Sequence, residues 1–410
     1  MKMVTAIPQT SLERLSKNSR MFSYLMTSFT KTYGVIQDDK MSLYFKGNKS
    51  VVSLALPLEA PVAESVYFSI DINKFLSAAK KIGDAMPLKL SINTAPPQIL
   101  MTSDATNDKI SFSATFYEAD SPEIAPLLSF YADKDPNFQG GEGFTASSAF
   151  LDFNHIASTY MGTINKNNSI ALFQDKLVYA DRTVVVSMKE PVWQQSLGTD
   201  EDEHRLLHKF VLGFVDFVAQ DSPNFTLSKD KNLIRWQSAT DPAFWAILAI
   251  DPCTISIPGQ DDLTAITPED SHVQSIFVKP SRLAEAIDFF SGLFEASVWK
   301  PITFTWSVDA ATAAEKMVLS YHHPSTEVEK ELTLEPGSAS SPSAIPNAEF
   351  TLISDSLRIL LNRMLDTGLL EIRFNDLDPD VVHGAGIQLK YTDQAGNVVY
   401  DAVLAKLQDA

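Results

Sequence analysis

One pattern returns three times in this chain at nearly constant spacing. FSIDINKFLSAAKKIGDAMPLKLSI begins at Phe68, FVLGFVDFVAQDSPNFTLS at Phe210 and FTLISDSLRILLNRMLDTGLLEIRF at Phe350, so the starts lie 142 and 140 residues apart. Each copy opens on Phe-x-aliphatic, runs through a short helical stretch and ends in a strand. Self-similarity at a fixed period marks a repeated structural unit, and it limits the fold more than any single motif. In the first copy Ile72, Phe75, Leu76, Ala79 and Ile82 share one face of a helix, while Lys74, Lys80 and Lys81 gather on the other.

The half-unit upstream recurs as well. Residues 36–56 (IQDDKMSLYFKGNKSVVSLAL) and 173–188 (FQDKLVYADRTVVVSM) read as alternating strands joined by short polar turns, and their Asp-Lys pairs sit 136 residues apart. ITFTWSVDAATAAEKMVLSY is a looser third copy. A helical stripe precedes each hairpin. It comprises Leu12, Leu15, Phe22, Leu25, Phe29 and Tyr33 in the first unit, and Phe150, Leu151, Ile156 and Tyr160 in the second. In the third it is Leu283, Ile287, Phe290 and Leu293, following Lys279-Pro280, where proline suits a helix start. The unit reads helix, strands, helix, strands. Proline-bearing segments divide the chain into domains at 1–122, 144–252 and 273–410, with connectors at 123–143 and 253–272. The run Glu335–Ala348 (EPGSASSPSAIPNA) reads as an exposed loop within the last domain.

The total of 410 residues fits two to three cores, and 45% hydrophobic content supplies the material to fill them. A single cysteine, Cys253, rules out an intrachain disulfide and fits a reducing compartment. The N-terminal MKMVTAIPQT has no apolar stretch long enough for a secretory signal. The longest apolar run, Ala243–Ile250, is too short for a membrane-spanning helix and reads as a buried strand. A soluble protein of the cytoplasm, without a membrane partner, is the expectation.

Catalytic constellations are missing from the pattern. His204 and His208 stand four apart in EHRLLHK, but Arg205 occupies the position where a zinc protease needs Glu. Adjacent strand residues point to opposite faces, which separates His322 from His323. GGEG at 140–143 lacks the Lys-Ser/Thr of a phosphate loop, no Gly-x-Ser-x-Gly elbow is present, and Cys253 has no base nearby in sequence. No enzyme, no metal and no cofactor is expected.

Three consecutive units, each with two helices and two runs of antiparallel strands, resemble a DNA polymerase sliding clamp. The likeness is to the bacterial beta-clamp arrangement of three domains per chain, and it runs from about Thr10 to Leu407. It implies an α+β fold of three repeated clamp-type domains, closed into a ring by oligomerisation as a homodimer. Helices would line the hole and strands would form the outer sheet. Such a ring encircles duplex DNA without reading its sequence and acts as a processivity factor that tethers the replicative DNA polymerase. With no ATP motif in the chain, a separate clamp loader ATPase would have to place it on DNA.

The charge pattern gives that resemblance physical content. The chain carries a formal charge of -18, which argues against a phosphate partner unless the positive charge is segregated. The helical stretches of the first unit come to +6 and those of all three units to +3, leaving -21 for sheets and loops. Candidate DNA contacts are Arg14, Lys17, Arg20, Lys74, Lys80 and Lys81, with Arg205 and Lys209 in the second unit and Lys279, Arg282, Arg358 and Arg363 in the third. Lysines opposite an apolar stripe are also what any solvated amphipathic helix shows.

The resemblance further implies a cleft for partner peptides near the junction of the second and third domains. The matching stretches are Ile255, Ile257 and Pro258 in the connector and Val403, Leu404 and Leu407 in the tail; the alternative is that these residues pack the junction. The ending AVLAKLQDA departs from the bacterial clamp ending, which points to a different peptide specificity and fits a viral clamp. The rival reading from another class is an oligomeric structural protein, a virion or scaffold component with β-rich domains and no DNA role. A scaffold has no reason to place +6 on two helices of one domain.

Overall fold

The computed structural model describes residues 2–8, 10–11, 13, 29–47, 50–82, 88–103, 108–129, 138, 143–162, 169–173, 176–181, 183–189, 205–229, 232–241, 244–252, 267–268, 273–291, 300–308, 315–323, 326–334, 339–340, 347–375 and 386–405. The described chain divides into two compact units, Met1–Ala146 with Phe210–Asp251, and Ser147–Lys209 with Pro252–Ala410. The helices are α1 (Ile72–Ile82), α2 (Ala125–Ser129), α3 (Ser148–Gly162), α4 (Lys209–Val218), α5 (Pro280–Asp288) and α6 (Ser354–Leu361). All strand pairings given for the described residues are antiparallel.

In the first unit, nine strands form one sheet. Gly143–Thr145, Asn224–Leu227, Leu233–Gln237 and Trp245–Ala249 continue into Val51–Pro57, Lys40–Gly47, Phe29–Gln37, Val66–Ile70 and Thr115–Tyr117. The join between the two sets is Trp245↔Ser53, Ala246↔Val52 and Ile247↔Val51. Six consecutive buried residues in Val51–Pro57 show why this strand is apolar but for Ser53: both of its faces are covered. One face holds Tyr33, Val35, Tyr44, Val51, Trp245 and Ile247, closed by Ile124 and Leu127 at α2.

The sequence reading carried a helix through residue 33, but Phe29–Gln37 is a strand, so Lys31 and Tyr33 do not belong to a helix. FTKTYGVIQ is rich in β-branched and aromatic residues, and Tyr33 and Val35 alternate into the core at period two. Directly across from Gly34 stands Phe68, whose buried ring occupies the space a Cβ at 34 would need.

A second, four-stranded sheet orders Lys2–Ile7, Leu88–Thr94, Pro97–Ser103 and Lys109–Ser113. Helix α1 leans on it through Phe75, edge-on to Phe112 with ring centroids 5.9 Å apart. Asp71 starts the helix, its Oδ1 accepting from the N–H groups of Asn73 at 3.0 Å and Lys74 at 3.3 Å. In the same unit Phe214 of α4 meets Trp236 edge-on, and the Trp236 indole donates to the carbonyl of Ser222 at 2.8 Å.

In the second unit, strands from the middle and last repeats share a sheet. Arg205–His208, Ser169–Leu172, Lys176–Ala180 and Val184–Lys189 are followed by Val398–Ala405, Gly386–Thr392, Leu369–Asn375, Val273–Val278 and Ala339–Ser340. The join is again antiparallel, with Val184↔Leu404 and Val186↔Ala402. Tyr160 of α3 stacks on Tyr179 and donates its hydroxyl to the carbonyl of Ser356 in α6. A four-stranded sheet of Thr326–Thr333, Glu315–His323, Pro301–Val308 and Asn347–Ile353 completes this unit. Between the sheets Phe304, Phe350 and Phe374 pack in series, 5.2 and 5.3 Å between centroids.

Acidic side chains fasten α5 to α6 at both ends. Arg358 of α6 places Nε 2.8 Å from Asp288 Oδ1. Asp366, just beyond α6, accepts the Ser281 N–H at 2.9 Å in the first turn of α5.

Two outcomes follow from this packing. Gly34→Val should lower stability by about 1–3 kcal/mol through overpacking against Phe68, read by urea unfolding. A midpoint equal to wild type would show that the ring can move aside. The Asp366 carboxyl is held below its ordinary value, first by the Ser281 hydroxyl, then by the Ser281 N–H, with Lys279 and Arg282 adding. A lowered folded pKa contributes stability above the unfolded value of about 3.9 and loses it as pH falls through the folded value. Asp366→Asn should therefore cost stability at neutral pH, and its gap to wild type should close in acid. A gap independent of pH would contradict the assignment.

Candidate nucleic-acid interface

The basic face of α1 is a consequence of its apolar face. Ile72, Phe75 and Ala78 are buried at helical spacing against the first unit. That orientation turns Lys74 and Lys81, seven residues apart and so on one helical stripe, outward, where both are exposed. Lys80 lies in the same helix, but its side chain is outside the described residues. The Lys74 ammonium sits 3.7 Å from Asp71 Oδ2, with both groups largely in solvent. Such a pair is weak and leaves the lysine available to a stronger anion.

Arg14, Lys17 and Arg20 lie outside the described residues. Arg205 is placed in the strand Arg205–His208, with its side chain also outside them, and Lys209 opens α4 with its side chain exposed. The exposed positions of α3 are Ser148, Asp152, Ser158 and Thr159, and the helix has no Lys or Arg in its fifteen residues. Lys279 and Arg282 are exposed at the start of α5, and Arg363 is exposed beyond α6. Arg358 is exposed as well, though bonded to Asp288. The helices of the second unit thus present basic and acidic groups together, and α1 presents lysines.

Of the peptide-cleft candidates, Ile255, Ile257, Pro258 and Leu407 lie outside the described residues. Val403 and Leu404 are 7% and 2% exposed, held in the sheet opposite Val185 and Val184. Their burial is sheet packing at the join of the middle and last repeats.

Two features escaped sequence reading. A polar chain crosses adjacent strands of the second unit: Ser275 donates to Glu371 at 2.6 Å, Glu371 lies 3.4 Å from Arg373 Nε, Arg373 donates to Gln388 at 2.8 Å, and Gln388 donates to Asp401 at 2.8 Å. Arg373 and Gln388 are buried. The alternation in LEIRFN and GIQLKY carried the signal, but the register that aligns it across strands is not local. The other is Phe289, half exposed at the end of α5 with the Lys330 ammonium 5.3 Å above its ring. Among the described residues no cluster of His, Cys, Asp and Glu could hold a metal ion, and no helix is long and apolar enough to cross a membrane.

No protein-family model matches the chain. No curated protein matches it either. Solved structures do. The beta sliding clamp of Caulobacter crescentus superposes with a TM-score of 0.68 at 10% identity, over 100% of both chains. The DnaN sliding clamp (DNA polymerase III subunit beta) of Bartonella birtlesii gives 0.68 at 12% identity, again over 100% of both. DNA polymerase III subunit beta of Pseudomonas aeruginosa gives 0.67 at 13%, covering 99% of this chain and 100% of that one. Identity this low leaves the fold as what the chains share. Mostly antiparallel sheets with a few short helices, matched from end to end, give this chain the fold of the bacterial beta sliding clamps.

Proposed function

We propose that this protein is a DNA sliding clamp: a non-enzymatic processivity factor that encircles duplex DNA and tethers the replicative polymerase. The observation that carries the reading is the pairing of an end-to-end clamp fold with the exposed basic face of α1 in an otherwise acidic chain. Bonds to phosphate position a protein on DNA without reading sequence, as sliding requires. A loader ATPase would place the ring, since nothing in the chain resembles an ATP site. The three domains are proposed with the boundaries given above.

Ring closure needs a second copy, and two sheet edges are suited to it. Lys109–Ser113 and Thr326–Thr333 each end a four-stranded sheet with one side unpaired among the described strands. Unpaired edges are templates for strand addition. The first presents Lys109 next to Asp108, while the second presents Glu327, Glu329 and Glu331 against the single Lys330, so the acidic edge would meet a less acidic one. Partner peptides are proposed to dock at 255–258 and the tail beyond Ala405. The structural-protein alternative is not favoured, because it explains neither the clamp fold nor the sided charge.

Topology gives the test. The chain is diluted to separate its copies, then concentrated in the presence of a nicked circular duplex. It should co-elute with the circle in gel filtration and be released when a restriction enzyme linearises the DNA. Retention on linear DNA, or no association with the circle, would contradict an encircling ring.

A further inference from the structure

We propose that the duplex is held from the first repeat alone. Among the described helices net positive charge is confined to α1, Lys209 and Arg363 being single exposed cations at the start of α4 and beyond the end of α6, and Arg358 in the third repeat is a fastener between helices, not a phosphate ligand. This rests on the sliding-clamp reading, in which the helices face the duplex.

Each helix offers an approaching phosphate something different. On α1, three lysines stand in eleven residues without an acid inside the helix, and Lys74 is tied only to the exposed Asp71. A phosphate that displaces so weak an ion pair gains the attraction of the lysine almost undiminished. On α3 the exposed positions are Ser148, Asp152, Ser158 and Thr159. Hydroxyls can donate to phosphate, but they release no counterions, and Asp152 opposes an anion.

Within α5 and α6 the cations stand beside acids, while Arg363 is exposed beyond the end of α6. Arg358 spends a charge-assisted hydrogen bond of 2.8 Å on Asp288. Lys279 and Arg282 both act on Asp366, which is itself bonded to Ser281. Lys300 lies 3.1 Å from Asp355. Glu285 is exposed on the same helix as Arg282. An approaching phosphate would meet a mixed surface there and would have to break the α5–α6 fastening to recruit Arg358. The geometry makes Arg358 a positioning residue. Opposite charges at the two helix ends hold α5 on α6, with Leu283, Ala286 and Ile287 buried from one side and Leu357, Leu360 and Leu361 from the other.

The test is the salt dependence of duplex binding, measured with the full-length protein and a short fluorescent duplex by anisotropy over a series of salt concentrations. The slope of log K against log [salt] is about −0.9 per phosphate neutralised. Neutralising the α1 lysines together (Lys74→Gln, Lys80→Gln, Lys81→Gln) should make the slope shallower by about 0.9 for each phosphate that no longer meets a lysine. The melting temperature should stay unchanged. Arg358→Asp should lower the melting temperature and leave the slope as it is, and adding Asp288→Arg to it should restore the melting temperature. Thr159→Lys should steepen the slope, because it supplies α3 with the charge it lacks. A slope unchanged by the α1 substitutions, or one abolished by Arg358→Asp and not regained by the swap, would overturn the proposal. Retention on circular DNA reports the ring independently, so a chain that fails it but shows the α1-dependent slope keeps the one-sided binding and loses only the clamp.

Discussion

Antiparallel backbone pairing between strands of different repeats is the constraint on which this architecture depends. Val51–Ser53 pairs with Trp245–Ile247, and Val184–Met188 pairs with Tyr400–Leu404. Each pairing joins segments about two hundred residues apart in the chain. Each also satisfies backbone groups that would otherwise stand open at a sheet edge. Buried apolar side chains meet at both joins: Val52 and Ala246 in one, Val186 and Ala402 in the other. Of the edge strands of the two four-stranded sheets, Lys109–Ser113 and Thr326–Thr333 remain without such partners among the described strands. Under the clamp reading, the pairing that unites repeats within a chain is repeated between chains.

Much of the local structure could be read from the sequence. The apolar stripe that begins Ile72, Phe75 gives a helix, Pro280 starts α5, and the break read at Ala180–Arg182 falls between the strands Lys176–Ala180 and Val184–Lys189. The helix drawn through residue 33 ran too far because apolar positions at mixed spacing fit both periods, and pairing with Lys40–Gly47 decided for a strand. What could not be read was the pairing between repeats. Trp245 and Ser53 are neighbours because a sheet closes over Tyr44 and Trp245, and no local pattern encodes that register. The Arg358–Asp288 bond was hidden for the same reason. Counting charges by helix gave a sum near zero for α6, but only the packing of α5 on α6 showed which arginine is occupied.

Under the clamp reading, the same segregation of charge would let an acidic protein hold DNA without stalling on it. Exposed ion pairs contribute little to stability, and in that reading long-range repulsion would keep DNA from the acidic sheets. A few lysines on one helix give attraction that can be exchanged from phosphate to phosphate. A lining saturated with unpaired arginines would hold each phosphate longer. Burial pushes the Tyr160 and Tyr179 phenols up and Tyr400 up to about 12, Asp181 adding to the first two and Asp152 to the last, so these three phenols stay uncharged.

The central claim is that two copies of this chain close into a ring, and solution mass by light scattering, followed by imaging of the particles, tests it most directly. The account predicts a particle of twice the 45.2 kDa chain mass with a central hole. A compact monomer at every concentration, or an open-ended assembly that grows with concentration, would contradict it.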